Sequence, residues 1–251
     1  MTISSKMLGF TKLISTKEIV IYLVEGIMIV AVFAYFFYKS FIWFLILTPM
    51  VFLFLNYKAK ESVRSKRWIL LMQFKEMIIS INSSLQVGYS IENAFRVAMN
   101  EMNDMYGPKS QIVIELIQVI GGLDNNIPLE NLLNGMARRN QIEEIENFAG
   151  LMATYKQTGG NVVEIIQTYV SVIEDKVSLR QEIETMISSK KYEQRIMNAV
   201  PFVILFYVNL SSRGFFDGLY HNAAGNLIMT LIMMVYIISV YWSNRIINSI
   251  F

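Results

Sequence analysis

The chain has 251 residues, a formal net charge of +2 and a mean hydropathy of +0.41, and 54% of its residues are hydrophobic. So apolar a composition is unusual for a soluble protein of this size. Cysteine is absent, which excludes disulfides, thiolate metal sites and a cysteine nucleophile. Within residues 56–195 the 16 basic and 17 acidic side chains nearly cancel, and this argues against a nucleic-acid partner, which would need a basic face.

Four apolar segments form two pairs, one near each end of the chain. They are residues 19–38, 41–55, 196–210 and 226–242. A helix of about 20 apolar residues crosses a bilayer, and about 17 suffice. The first segment has that length, while the other three need flanking aromatic residues to reach it. We predict four transmembrane helices rather than buried core helices, because a core helix is rarely apolar on every face. The first is longer than a signal-peptide core and no cleavage site follows it.

The positive charges give these predicted spans an orientation. Of the 22 lysines and arginines, 20 lie at the termini or between the second and third spans, and only Lys39 and Arg213 lie in the two opposite loops. The positive-inside rule then places both termini in the cytoplasm and residues 211–225 outside. The expected parts are residues 1–55 (N-terminal tail and transmembrane hairpin), residues 56–195 (cytoplasmic helical domain) and residues 196–251 (C-terminal transmembrane hairpin).

Turn residues divide the cytoplasmic part into about six amphipathic helices, with no convincing strand. The first is expected over residues 62–86. Gly88 ends it, because glycine takes a positive φ without steric cost, and Ser90 caps the next helix. The third is expected to stop at the glycine pair 121–122, and Pro128 to begin the fourth. Short turns between such helices favour an antiparallel bundle, so the fold class is all-α, with the bundle inserted between spans 2 and 3.

Capping-box spacing marks the starts of the last two helices of the bundle. Asn140 stands three residues before Glu143, so Asn140 is expected to cap the fifth helix. Gly159 and Gly160 form the following turn, and Asn161 repeats the capping-box spacing with a glutamate three residues later. The helix that begins after Asn161 is expected to run through residue 189. Whether it ends there or continues into the third span is open from the sequence.

Four segments, taken in order, resemble the type II secretion system F domain. They are residues 74–95, residues 127–130 (Ile-Pro-Leu-Glu), residues 158–166 (Thr-Gly-Gly-Asn-Val-Val-Glu-Ile-Ile) and residues 196–201 (Ile-Met-Asn-Ala-Val-Pro). The four-span layout is similar to that of TadB/TadC-like platform proteins of Tad/Flp pilus systems. Asn126 stands where the family usually has glycine. Because asparagine tolerates the left-handed conformation better than other non-glycine residues, we expect the turn to be kept.

The resemblance implies a non-enzymatic platform in the inner membrane, serving a type IV/Tad pilus or a type II secretion machine. On such a platform a cytoplasmic secretion ATPase acts to add pilin subunits to a filament. The implied partners are therefore that ATPase, pilin, membrane lipid, and a second copy or a sister subunit. The last follows because many relatives carry two copies of the domain and this chain has one.

The residues themselves give no indication of an enzyme, a cofactor or a metal site. The single histidine, His221, lies in the predicted external loop without a second ligand, and no phosphate-binding G-x-x-x-x-G-K-[ST] loop occurs. One charged cluster stands out, in which Arg138 and Arg139 precede Glu143 and Glu144. We interpret it as a solvated face, with a docking surface for the ATPase as the alternative.

Two residues of the predicted spans carry open alternatives. Glu25 is the one ionisable residue well inside a span, and intramembrane carboxylates are often functional. It also lies near enough to the cytoplasmic end to meet water or Lys17. Pro201 removes a backbone hydrogen bond and permits a bend, so it is either a hinge or an aid to helix entry.

Two other classes of protein stay open. One is a small transporter or channel subunit, which would need polar groups near the bilayer midplane. The other is a membrane-tethered adaptor or sensor.

Overall fold

A computed structural model describes residues 16–38, 41–158, 161–212, 214, 218 and 222–248. The regular structure of these residues is entirely helical, which confirms the all-α prediction for them. The described part of the chain contains nine helices: α1 (Thr16–Tyr38), α2 (Phe41–Leu47), α3 (Pro49–Gln86), α4 (Ile91–Tyr106), α5 (Gln111–Asp124), α6 (Leu129–Asn140), α7 (Glu143–Thr158), α8 (Val162–Ser211) and α9 (Ala223–Asn248).

The helices divide into two compact units. The hairpin unit comprises residues 1–63 and 182–251, and the bundle unit comprises residues 64–181. Helices α3 and α8 each contribute residues to both units. The three-part division at residues 56 and 195 stays a prediction.

Two described helices are long and apolar enough to cross a membrane. They are α1 and the segment Ala224–Ile246 of α9. The predicted second span is divided between α2 and the start of α3, which meet at a bend of 44°, and counting this pair as one span gives three. The predicted third span, residues 196–210, is the C-terminal part of α8 and is not among them. The layout with four spans stays a prediction.

The core of the bundle unit is formed by the apolar faces of α3 to α8. On α3 the fully buried side chains recur at three- and four-residue intervals, and they include Phe74, Ile78 and Ile81. The ring of Phe74 packs at 80° against that of Phe148 on α7, with 5.8 Å between the ring centroids. The ring of Tyr169 on α8 follows at 5.3 Å from Phe148. Each fully buried side chain of this size contributes about 1.5–3 kcal/mol, so this shared core holds the six helices together.

The expected helix over residues 62–86 is the second part of a longer one. Helix α3 runs without interruption for 38 residues from Pro49 to Gln86. The expected start near residue 62 rested on the capping and turn residues that divide the sequence into helices. Residues 50–86 contain neither glycine nor proline, the residues that most often interrupt a helix, and α3 continues through this region.

The glycine pair does not end the third helix of the bundle, so this prediction was wrong. Helix α5 continues through Gly121 and Gly122 to Asp124. A Cβ atom placed on Gly122 would lie 2.2 Å from Leu132 Cδ2 of α6, whereas a Cβ on Gly121 would meet nothing within 4 Å. Glycine at 122 therefore permits the close approach of α6, and the turn forms later.

The capping box predicted at Asn140 was also wrong. Asn140 is the last residue of α6 and is buried, and α7 begins at Glu143. The side-chain amide donates to Glu115 Oε1 at 2.7 Å and to the Met136 carbonyl at 2.9 Å. A buried carboxylate requires donors, and Asn140 supplies one to Glu115 instead of capping a helix. Gln141, with φ of 54°, makes the left-handed turn that ends α6.

The other predicted turn residues have the following geometry. Gly88 has φ of 100° and Asn126 has φ of 59°. Ser90 Oγ accepts a hydrogen bond from the Asn93 N–H at 3.3 Å, at the start of α4. Asn161 Oδ1 accepts from the Val163 N–H at 3.1 Å, at the start of α8. Gly159 and Gly160 lie outside the described residues.

Candidate functional site

An open groove of about 650 Å³ lies at one end of the bundle unit. Its lining comes from the turn between α3 and α4, the turn between α5 and α6, the last turns of α7 and the start of α8. These turns meet because an antiparallel bundle places every second connection at the same end. Helix α3 leads from residue 64 to this end over 22 residues, a rise of about 33 Å.

Three of the four segments that resemble the F domain contribute to the groove. Residues 85 and 89–92 belong to the first segment, residues 127–130 are the second, and Val162 belongs to the third. This groove was not predicted from the sequence. The order of the predicted helices could have indicated it. In an antiparallel bundle every second turn lies at the same end, and these three segments lie at the first, third and fifth turns.

The groove combines exposed apolar side chains with carboxylates. Tyr89 and Ile127, which line it, are 51% and 43% exposed. Glu92 and Glu130 are the acidic lining residues, and no lysine or arginine is among the described residues that line it. Such a surface suits a partner that offers apolar contact and positive charge.

The predicted docking cluster is divided between two environments. Arg139 binds Glu115, whose side chain is only 3% exposed, through Nε at 3.2 Å from Oε2 and through a second guanidinium nitrogen. The side chain of Glu144 is 15% exposed and pairs with Lys176 Nζ at 2.6 Å. Both therefore connect helices of the bundle. Glu144 is largely buried rather than solvated, whereas 44% of the Arg139 side chain is exposed.

The other two members of that cluster are on the surface. Arg138 and Glu143 are exposed. The sequence grouped all four residues because they are neighbours along the chain. It could not reveal the partners of Arg139 and Glu144, which lie on α5 and α8. Of these four residues, only Arg138 and Glu143 form no ion pair with a described residue.

Burial also changes the acidity of one tyrosine in the bundle. The Tyr169 hydroxyl donates to the backbone carbonyl of Glu144. Desolvation by burial raises the pKa of Tyr169 above its ordinary value of about 10, and the negative charge of Glu144 raises it further. The hydroxyl is therefore a permanent donor at physiological pH, and it fixes α8 against the start of α7.

Glu25 of the hairpin unit has a basic partner other than the predicted Lys17. Lys58 Nζ lies 3.5 Å from Glu25 Oε1, and the two side chains are 29% and 44% exposed. The same ammonium lies 6.0 Å from the ring centroid of Tyr22 and 5.8 Å from that of Phe54. Lys58 is 33 residues away in sequence, and only the packing of α3 against α1 brings it to Glu25.

Pro201 lies within an unbroken stretch of α8. Its neighbour Phe202 packs edge-on against Phe33 of α1, with 5.1 Å between centroids, and against Tyr236 of α9, with 5.5 Å. The Tyr236 hydroxyl donates to the Asn198 carbonyl at 2.8 Å, three residues before the proline. Neighbouring helices thus hold α8 on both sides of the position where proline removes a hydrogen bond.

No group of three or more His, Cys, Asp or Glu side chains is arranged to hold a metal ion within the part of the chain that the structure describes. Comparisons with family models, with curated proteins and with solved structures find no match to the chain. Membership of the F domain family therefore stays a prediction, made on the four sequence segments.

Proposed function

We propose that the chain is a non-enzymatic platform subunit of the inner membrane, which couples a cytoplasmic secretion ATPase to pilin assembly in a type IV/Tad pilus or a type II secretion machine. The observation that carries this proposal is the convergence of three resembling segments on one groove. They are separated by tens of residues in the sequence, yet they contribute to a single surface. A common surface supports a shared function for them better than it supports three unrelated turns.

The proposed topology has four spans, with both termini and residues 56–195 in the cytoplasm. Two apolar helices, α1 and α9, and the bent pair α2 and α3 support the membrane part. The distribution of lysine and arginine supports the orientation. In this arrangement the bundle unit meets the ATPase, and the hairpin unit meets lipid, pilin and a second platform subunit.

The proposed route of coupling is α8. It contains residues of both units in one continuous helix, so a displacement of its N-terminal part would be passed along the helix. A bend at Pro201 would then convert that displacement into movement of the third span. Pro201→Ala should leave membrane insertion and ATPase binding intact while reducing filament assembly. Val200→Ala, at the adjacent position, is the control. Normal assembly in the Pro201 variant would refute the hinge.

The partner is tested with the full-length chain. A tagged chain, purified in detergent with the secretion ATPase of the same genome, should retain that ATPase, and deletion of the gene should abolish filament assembly or secretion. Arg138→Glu and Glu143→Arg test the exposed part of the predicted docking cluster, with Arg139 and Glu144 left in place to preserve the fold. If the ATPase is not retained and deletion leaves assembly and secretion unchanged, the platform function is refuted.

A further inference from the structure

The groove at the end of the bundle unit has the surface of a binding site for a polypeptide. Soluble surfaces usually expose large apolar residues singly, whereas here Tyr89 and Ile127 are both exposed and line one concavity. The groove is open to solvent and its volume is about 650 Å³, which falls within the range of ligand sites. Its lining is divided about equally between polar and apolar surface, which suits a polypeptide segment that carries both kinds of side chain.

Side chains rather than helix dipoles set the charge of the groove. Helices α3, α5 and α7 end there, and α4, α6 and α8 begin there, so that partial charges of opposite sign offset one another. No side chain among the described lining residues is basic, and Glu92 contributes a negative charge. Glu92 is exposed and forms no ion pair with a described residue. The groove therefore presents an unneutralised carboxylate to whatever binds there.

Two aromatic rings complete the preference for a cation. Tyr89 and Tyr155 both line the groove that contains Glu92. The face of a tyrosine ring attracts a guanidinium or ammonium group, because the ring's π electrons place negative charge on that face. Anionic lipid headgroups would be repelled by Glu92, so a membrane surface fits this groove poorly.

We propose that the groove binds a segment of a protein partner in which an arginine or lysine stands next to large apolar side chains. The apolar side chains would cover Tyr89 and Ile127, and the cation would pair with Glu92. The identity of the protein that carries this segment rests on the proposed function. The chemistry of the segment follows from the groove alone. A second copy of this chain is the competing occupant.

The test uses the full chain in nanodiscs, with an environment-sensitive dye on Gln86→Cys, an exposed residue beside the groove in a chain without other cysteines. The probe is a synthetic peptide of alternating leucine and arginine, seven residues long and blocked at both ends. Two matched peptides replace its arginines by glutamate or its leucines by serine. We expect saturable binding of the first peptide and at least ten-fold weaker binding of the other two. Equal binding of the arginine and glutamate peptides would overturn the proposal.

Variants locate the binding in the groove. Glu92→Lys should weaken binding of the arginine peptide at least ten-fold, and Glu92→Gln, which keeps a polar side chain of the same size, should weaken it about three-fold. The matched control is Glu101→Lys, which makes the same charge change at an exposed position of the same helix outside the groove, and it should change binding less than two-fold. Circular dichroism confirms that each variant is folded. Equal effects of the changes at positions 92 and 101 would overturn the assignment to the groove.

The outcomes separate this inference from the platform function. Glu92-dependent dimers in mass photometry, without peptide binding, would identify a second copy as the occupant and overturn the proposal. Peptide binding without capture of the ATPase would support the groove and count against the platform. If Glu92→Lys leaves capture of the ATPase unchanged and the peptide does not bind, the result would support the platform function and overturn the groove proposal.

Discussion

The two neighbouring glycines of α5 should respond to alanine with opposite signs. Replacing glycine by alanine inside a helix ordinarily stabilises it by about 0.5–1 kcal/mol. Gly121→Ala should show this gain, because its new Cβ meets nothing within 4 Å. The Cβ of Gly122→Ala would lie 2.2 Å from Leu132 Cδ2 and 3.1 Å from Leu132 Cγ, so the whole end of that side chain must move. Overpacking of this kind costs about 1–3 kcal/mol, which is the expected difference between the two variants.

Hydrogen–deuterium exchange on the full-length chain measures this difference. Amides of α5 and α6 should gain protection in Gly121→Ala and lose it in Gly122→Ala, because exchange reports the free energy of local opening. Leu132→Ala provides the double-mutant cycle: combined with Gly122→Ala, it should cost less than the sum of the two single changes, since the clash has gone. Equal protection in the two alanine variants would show that α6 does not rely on the missing side chain at 122.

Three further predictions concern the bundle charges, one hydrogen bond and the topology. Arg139→Leu should destabilise the bundle by about 1.5–3 kcal/mol, because it removes the cation that pairs with the buried carboxylate of Glu115. The control Arg138→Leu, at an exposed position, should change the free energy of unfolding by less than about 0.5 kcal/mol, and denaturant unfolding measures both variants. Tyr169→Phe should cost about 0.5–1.5 kcal/mol at neutral pH. Because the pKa of Tyr169 is raised in the folded state, this contribution is present below pH of about 10 and is lost as pH rises further, a loss that the variant should lack. Ser178→Cys and Ser212→Cys, both exposed, should show opposite accessibility to an impermeant thiol reagent, and labelling of the first in intact cells would contradict the topology.

The positions of the core helices were predictable because they depend on local periodicity and turn chemistry. The apolar residues at three- and four-residue spacing on α3 form the buried face. The turn at Gly88 and Ser90 also follows from local requirements, a positive φ and an acceptor for a first-turn N–H. Such features are set by residues within one or two turns of each other, which the sequence places side by side.

Features set by distant residues were not predictable. A glycine is equally suited to a turn and to a close contact between helices. At Gly122 the close contact is with Leu132, which lies ten residues away in the sequence. The spacing of Asn140 and Glu143 fits a capping box, but the Asn140 side-chain amide donates its hydrogen bond to the buried carboxylate of Glu115 instead. Gln141 takes a left-handed conformation that glycine or asparagine would have signalled. In each case the deciding partner comes from tertiary packing.

The α5–α6 pair illustrates why a buried charge in this bundle has a structural use. Its apolar contact joins residues 122 and 132, and its ion pair joins residues 115 and 139, seven residues away along both helices. Seven residues are two helical turns, so both contacts lie on one face and satisfy the same antiparallel register. An apolar stripe alone would tolerate a slip of one turn. After such a slip Glu115 would be buried without Arg139 and Asn140, at a cost of several kcal/mol, whereas the apolar contacts would be largely re-formed. We infer that the close packing at Gly122 brings the helices together and that Glu115 selects their register, which in turn fixes where the residue 127–130 turn meets the groove.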